Sequence, residues 1–223
     1  MAFLPDIEPM TTIHKPAAGH VAAMLLEIGA IRLSPEKPFT WSSGWLSPVY
    51  CDNRLALSFP DKRTSIRNAL SEVVEQYFPQ AEAVAGVATA GIPQGALVAD
   101  QLELPFLYVR PKPKDHGMQN LIEGKITPGQ KVVVVEDLVS TGGSSIKAAE
   151  ALREAGFVVV GMVAIFTYGF ATADRNFEQA DIPLVCLSDF PHLLEEAVRQ
   201  NHMQASQLDL VSQWRTDPSN WGR

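Results

Sequence analysis

Basic residues are scarce in this 223-residue chain: 18 Lys and Arg stand against 25 Asp and Glu, a formal net charge of −7. Nucleic-acid binders generally present a basic surface, so this balance excludes a general one. Cysteine is scarcer still. Cys51 and Cys186 lie far apart and each sits beside apolar or aromatic residues, as small core residues rather than a disulfide or metal pair. The histidines (His14, His20, His116, His192 and His202) form no HExxH pattern and no Cys/His zinc spacing. No apolar run is long either. FVVVGMVAIF (157–166) is about half of the ~20 residues that a membrane helix needs. The opening MAFLPDIEPM carries acids and prolines in place of the basic start and apolar core of a secretory signal. These absences lead us to expect a soluble, cytoplasmic chain that uses neither nucleic acid nor membrane.

What is present is alternation. Short apolar runs at 83–89, 105–110, 131–137, 157–168 and 183–190 interleave with helix-like segments at 91–103 and 144–156. Continuous β-branched runs mark strands buried on both faces, and strand–helix alternation marks a parallel sheet. Helical spacing recurs at 15–30, ending at Gly29, and at 61–78. The fold class expected is therefore α/β: a central, mostly parallel sheet flanked by helices. Residues 61–185 would form the core. Residues 1–60, completed by 186–223, would form a small cap, or hood, over one edge. The stretch 111–130, PKPKDHGMQNLIEGKITPGQ, lacks periodicity, and an irregular segment of that length in a compact domain suggests a functional lid.

The segment richest in chemistry is VVVVEDLVSTGGSS (132–145). Four valines make a central strand, Glu136 and Asp137 stand where it is expected to end, and Ser140 to Ser144 precede a helix. Ligands of open α/β sheets bind outside the carboxyl ends of the strands. Gly142 and Gly143 permit close backbone approach, and the first N–H groups of a helix with neighbouring hydroxyls cradle a phosphate. Two adjacent acids beside a phosphate seat make sense for a sugar phosphate, whose vicinal hydroxyls donate to carboxylates. A plain strand–turn–helix corner explains the Gly and Ser residues but not acids whose desolvation is costly. The dinucleotide fingerprint GxGxxG is absent, and GVATAG (86–91) continues with Ile92 and Pro93, not the Lys and Ser/Thr of an NTPase loop.

The segment resembles the 5-phosphoribosyl-1-pyrophosphate (PRPP) motif of the type I phosphoribosyltransferases. FTWSSGWLSPVYCDNR (39–54), GVATAGIP (86–93) and YVRPKPKDHG (108–117) are similar to segments of the orotate phosphoribosyltransferases, and the likeness covers most of residues 15–215. It implies the type I fold and transfer of ribose 5-phosphate from PRPP to orotate, giving orotidine 5'-monophosphate and pyrophosphate. Carried over, Glu136 and Asp137 hold the ribose hydroxyls, while Ser140, Thr141, Gly142, Gly143 and Ser144 hold the 5-phosphate. Leu138 and Val139 fall within the same PRPP-binding segment, and Ser140 also lies near orotate. Arg110, Lys114 and His116 contact the pyrophosphate above a floor at 86–91, with Lys114, His116 and Asp137 as the catalytic set. Mg²⁺ is implied mainly on PRPP oxygens, without a dedicated set of protein side chains. A homodimer sharing loop 111–130 between active sites is implied as well. The chain departs from many members at Ser42, where they carry Lys, and after Thr167 and Tyr168, where they carry Arg. Thr89 and Ala90 likewise stand where others have Lys.

Two alternatives stay open on the residues alone: a phosphoribosyltransferase for another base, and a PRPP-sensing regulator without catalysis. No residue pattern suggests a covalent nucleophile. Charge distribution favours a small anionic substrate: residues 110–131 hold Arg110, Lys112, Lys114, Lys125 and Lys131 against Asp115 and Glu123, a local excess of base in an acidic chain. Trp41, Trp45 and Tyr50 could stack on a base or pack the cap, and Arg54 could meet an anion or pair with an acid.

Overall fold

The computed structural model describes residues 10–41, 43–112 and 121–222. Along the chain, β1 (Thr11–Ile13), α1 (Lys15–Glu27), β2 (Ile31–Leu33), β3 (Phe39–Thr40), β4 (Leu46–Ser47) and β5 (Val49–Cys51) lead into a 3₁₀ helix at Asn53–Ser58. Then follow α2 (Pro60–Tyr77), β6 (Ala83–Val87), α3 (Gly91–Gln101), β7 (Phe106–Val109), β8 (Ile122–Glu123), β9 (Lys131–Val139) and α4 (Gly143–Glu154). The chain closes with β10 (Val158–Thr167), α5 (Ala171–Ala180), β11 (Leu184–Asp189), α6 (Phe190–Arg199) and α7 (Leu208–Thr216).

One seven-stranded sheet runs in the order β1-β11-β10-β9-β6-β7-β8, parallel throughout except for β8 against β7. The expected type I fold is thus observed. The valine run explains the centre: successive side chains point to opposite faces. Val133 and Val135 enter the cluster that contains residues of α1, α2 and α3, whereas Val132 and Val134 enter the one containing residues of α4 and α5.

Residues before 60 and after 185 do more than cover an edge. β1 pairs with β11, Thr11 opposite Leu184 and Ile13 opposite Cys186, so both outer segments extend the sheet beyond the 61–185 core expected from sequence. A three-residue strand is too short for periodicity to reveal. The β2–β5 and β3–β4 pairs lie outside that sheet and carry the Trp41–Tyr50 region. Helices α5, α6 and α7 escaped the sequence reading; α5 buries only Ala173 and Phe177 of its ten residues, which leaves little apolar pattern to read. No described helix is long and apolar enough to cross a membrane.

Candidate active site

Strand β9 continues two residues past the acids, to Val139, because its ladder with β10 holds to Val139 opposite Thr167. The strand end expected at Glu136–Asp137 is therefore corrected: the acids lie inside the last turn of the pleat. They are not equivalent. Glu136 is only 6% exposed; its Oε2 accepts from Ser145 Oγ (2.9 Å) and its Oε1 from the Asp137 N–H (3.0 Å). Asp137 is half-buried, and its carbonyl accepts from Asn53 Nδ2 at 2.7 Å. Burial, and then the adjacent Asp137 charge, pushes Glu136 up to about 8. Burial raises Asp137 too, against the opposing hydrogen bonds and the Arg54 charge. The pair is therefore easier to protonate than two ordinary carboxyls.

After Val139 the chain turns through Ser140 and Thr141 to Gly142, whose φ of 79° is open to glycine and strained for other residues. Helix α4 starts at Gly143, one residue earlier than expected, and no side chain caps it. Its first N–H groups lack partners within the helix and carry the positive end of the macrodipole, which together suit a phosphate. Asn176 of α5 steadies the turn, its Nδ2 donating to the Thr141 carbonyl at 2.8 Å. Ser144 is exposed, and a Cβ built on Gly143 would meet nothing within 4 Å. Val139 differs from its neighbours in the motif. Its side chain is fully buried and its carbonyl accepts from Tyr168 N and Thr167 Oγ1, so it offers the cleft no side chain.

Beside this turn opens a cleft of about 550 Å³. Thr40, Trp41, Ser43, Trp45, Tyr50 and Cys51 line it from the N-terminal segment; Leu138, Ser140, Thr141 and Tyr168 line it from the ends of β9 and β10. The aromatics serve packing as well as lining. Trp41 lies 5.1 Å from Tyr168, ring to ring, and donates from Nε1 to the Val49 carbonyl. Trp214 of α7, fully buried, meets both rings edge-on. The Arg32 guanidinium sits 5.0 Å over Tyr50. Arg54 resolves toward the acid alternative, donating to Asp52 at 2.7 and 2.9 Å.

On the other side of the acids, the turn between β6 and α3 follows the expected glycines. A Cβ on Gly86 would lie 2.7 Å from the Gly91 carbonyl oxygen, so glycine there allows α3 to start against the strand. Arg110 follows β7, with Nη1 3.7 Å from Glu123 Oε1. Lys114, His116 and Ser42 lie outside the described residues. Asp137, Leu138 and Ser140 to Ser144 are thus brought to one end of the sheet, with Arg110 just past the end of β7.

Sequence reasoning missed three supporting residues: Ser145, Asn53 and Asn176. Ser145 and Asn53 lay inside quoted segments, but no spacing rule joins residue 53 to residue 137 or residue 176 to residue 141. Both cysteines are free, and burial first of all raises both thiols above their usual range.

A phosphoribosyl transferase domain profile matches residues 61–188. The chain is 60% identical to an orotate phosphoribosyltransferase of Cytophaga hutchinsonii over 201 residues, covering 90% of this chain and 96% of that protein. It is 54% identical to an orotate phosphoribosyltransferase of Porphyromonas gingivalis over 202 residues, 91% of this chain and 96% of the relative. Among solved structures, orotate phosphoribosyltransferase from Aeropyrum pernix superposes with a TM-score of 0.71 at 34% identity, covering 79% of this chain and 97% of that one. With this sheet order, this glycine turn and identity of that degree along nearly the whole length, the chain belongs to the orotate phosphoribosyltransferase family.

Proposed function

We propose that this chain transfers the ribose 5-phosphate of PRPP to orotate, releasing orotidine 5'-monophosphate and pyrophosphate. One juxtaposition carries the reading: an aromatic-walled cleft of about 550 Å³ adjoins the Ser140–Ser144 turn, with Leu138, the residue after Asp137, in its lining. A flat base in the cleft and a phosphate on the α4 N-terminus would set the ribose over Asp137.

In the transfer, a ring nitrogen of orotate forms a bond to C1 as the C1–O bond to pyrophosphate breaks. The sugar gains oxocarbenium-like positive charge and the leaving group gains negative charge. Asp137 would accept from a ribose hydroxyl and stabilise the positive ring. Arg110, Lys114 and His116 would face the pyrophosphate, where fixed cations oppose developing charge. Ser140 would serve both the phosphate and the base. The donor set also suits Mg²⁺. Burial makes the ionised Glu136–Asp137 pair unfavourable, a penalty that a nearby cation relieves. PRPP oxygens and water would hold the ion beside this pair, in keeping with magnesium's preference for phosphate and water; when bound it neutralises diphosphate charge. Closure of loop 111–130 would keep water from C1. In our reading the functional unit is a homodimer whose loops reach the partner's site.

Incubation with Mg²⁺ and PRPP should deplete orotate, followed by its absorbance, and release one pyrophosphate per orotate consumed. Uracil or adenine in its place should give no comparable turnover. An unchanged orotate signal overturns the assignment.

A further inference from the structure

Asn53 stands where the N-terminal segment meets the sheet. Its side chain is fully buried, and both ends of its amide are used. Nδ2 donates to the Asp137 carbonyl at 2.7 Å across 84 residues of sequence, and Oδ1 accepts from Cys51 Sγ at 3.3 Å. These contacts lie immediately behind the cleft. Cys51 lines one wall; Leu138, the residue after Asp137, lines the other. We infer that Asn53 is a positioning residue that holds the base cleft in register with the acid beside the ribose, an inference that rests on the reading of this cleft as the orotate site.

The local chain is built to aim that amide. Asp52 caps the 3₁₀ helix by accepting from the Arg54 N–H at 3.2 Å, and also binds the Arg54 guanidinium, which fixes the first turn on both sides of Asn53. Burial keeps the Cys51 thiol protonated, so it remains a donor to Oδ1 at neutral pH. The ladder between β9 and β10 pairs Ala164 with Glu136 and Phe166 with Leu138, and the carbonyl of the intervening Asp137 turns to Asn53. A buried amide whose donor and acceptor are both satisfied is costly to displace. It therefore behaves as a strut between two walls from distant parts of the chain. Displacement at C1 demands that nitrogen, carbon and leaving oxygen be in line, and a misplacement of about 1 Å can cost on the order of 10²-fold in rate.

The test compares Asn53→Ala and Asn53→Leu with the wild-type chain at a temperature where all remain folded. Steady-state kinetics are read beside calorimetric titration with Mg²⁺–PRPP. Asn53→Ala should lower kcat about 10–100-fold while PRPP affinity and the number of PRPP sites per chain hardly change. Asn53→Leu keeps roughly the size but cannot donate to the Asp137 carbonyl at any pH, and should fall as far as Ala. An Asn53→Ala enzyme with unchanged kcat overturns the inference. So does a kcat loss matched by an equal loss of PRPP sites, which marks a merely unfolded fraction. Recovery in Asn53→Leu overturns it as well. A wild-type chain inactive on orotate overturns the reading of the site itself, and is distinguished from these outcomes by the wild-type assay alone.

Discussion

Glu136 and Asp137 are neighbours of the same chemical type, and the chain treats them differently. Glu136 has both carboxylate oxygens committed to Ser145 and to the Asp137 N–H, while Asp137 is the more open of the two. The consequence is a pH effect of definite sign. Glu136 is raised from the ordinary carboxylate value to about 8 in the folded chain. A carboxyl whose folded pKa lies above its unfolded one favours folding most at low pH, and that contribution fades as pH climbs from the unfolded pKa through about 8. Without ligand, Glu136→Gln should therefore gain stability relative to wild type between pH 5 and pH 8.5, measured as the difference in melting temperature at each pH. A constant difference across that range would show that Glu136 does not titrate there. Adding Mg²⁺ and PRPP should shrink the effect, because cation and hydroxyls stabilise the ionised pair. Sequence alone singled out both acids; that one of them braces α4 required Ser145, which only the turn at Gly142 brings back to the strand.

At the scale of the element, the β9–α4 corner makes two adjacent glycines unequal. Gly142 has a left-handed φ, and a Cβ there would lie 2.7 Å from Phe177 Cε2. Gly142→Ala should cost about 1–2 kcal/mol for the backbone conformation alone, with steric conflict added, and should lower the melting temperature and abolish PRPP binding. Gly143 opens α4 with room on all sides. Gly143→Ala should leave the melting temperature unchanged or raise it slightly, since Ala is the better helix former, and should weaken PRPP binding by placing a methyl in the proposed phosphate seat. Thermal melts beside PRPP titrations check both; equal loss of stability in the two variants would refute the distinction. Most elements were legible in the sequence because their burial is periodic: the expected helix at 61–78 is α2 at Pro60–Tyr77, and the expected helix at 91–103 is α3 at Gly91–Gln101. Helix α6, by contrast, has a plain apolar face with Phe190, Leu193, Leu194 and Ala197 buried, yet it went unread because its first residue merges with the apolar run of β11.

For the whole molecule, the proposed contact of loop 111–130 with the pyrophosphate decides whether a site draws on one subunit or two. If the loop serves the partner's site, Lys114→Ala and Asp137→Asn chains carry lesions in different half-sites. Each homodimer should be nearly inactive. Mixed and reassembled chains should recover up to about a quarter of wild-type activity, since half of the dimers are hybrids and one of their two sites carries neither lesion. Activity after subunit exchange, read against exchange followed by mass, checks this; exchange without recovery places the loop on its own subunit's site. The packing of the rest is already continuous: α7 closes the molecule through Trp214, which touches Trp41, Tyr168, Phe170 and Phe190 at ring distances of 5.3–5.6 Å. The C-terminal helix thereby supports the same aromatic wall that the N-terminal segment contributes to the cleft.

The sequence by itself determined the layered α/β plan, the glycine corner before α4 and the family, because these rest on local patterns: valines buried on both faces, glycines at a tight corner, adjacent acids near the end of a strand. Tertiary structure alone decided which acid stays open, which asparagine ties residue 53 to residue 137, and that β1 and β11 pair at the sheet's edge. Such contacts depend on which side chains meet after folding. Hydrogen bonds act over about 3 Å in space with no regard for distance along the chain.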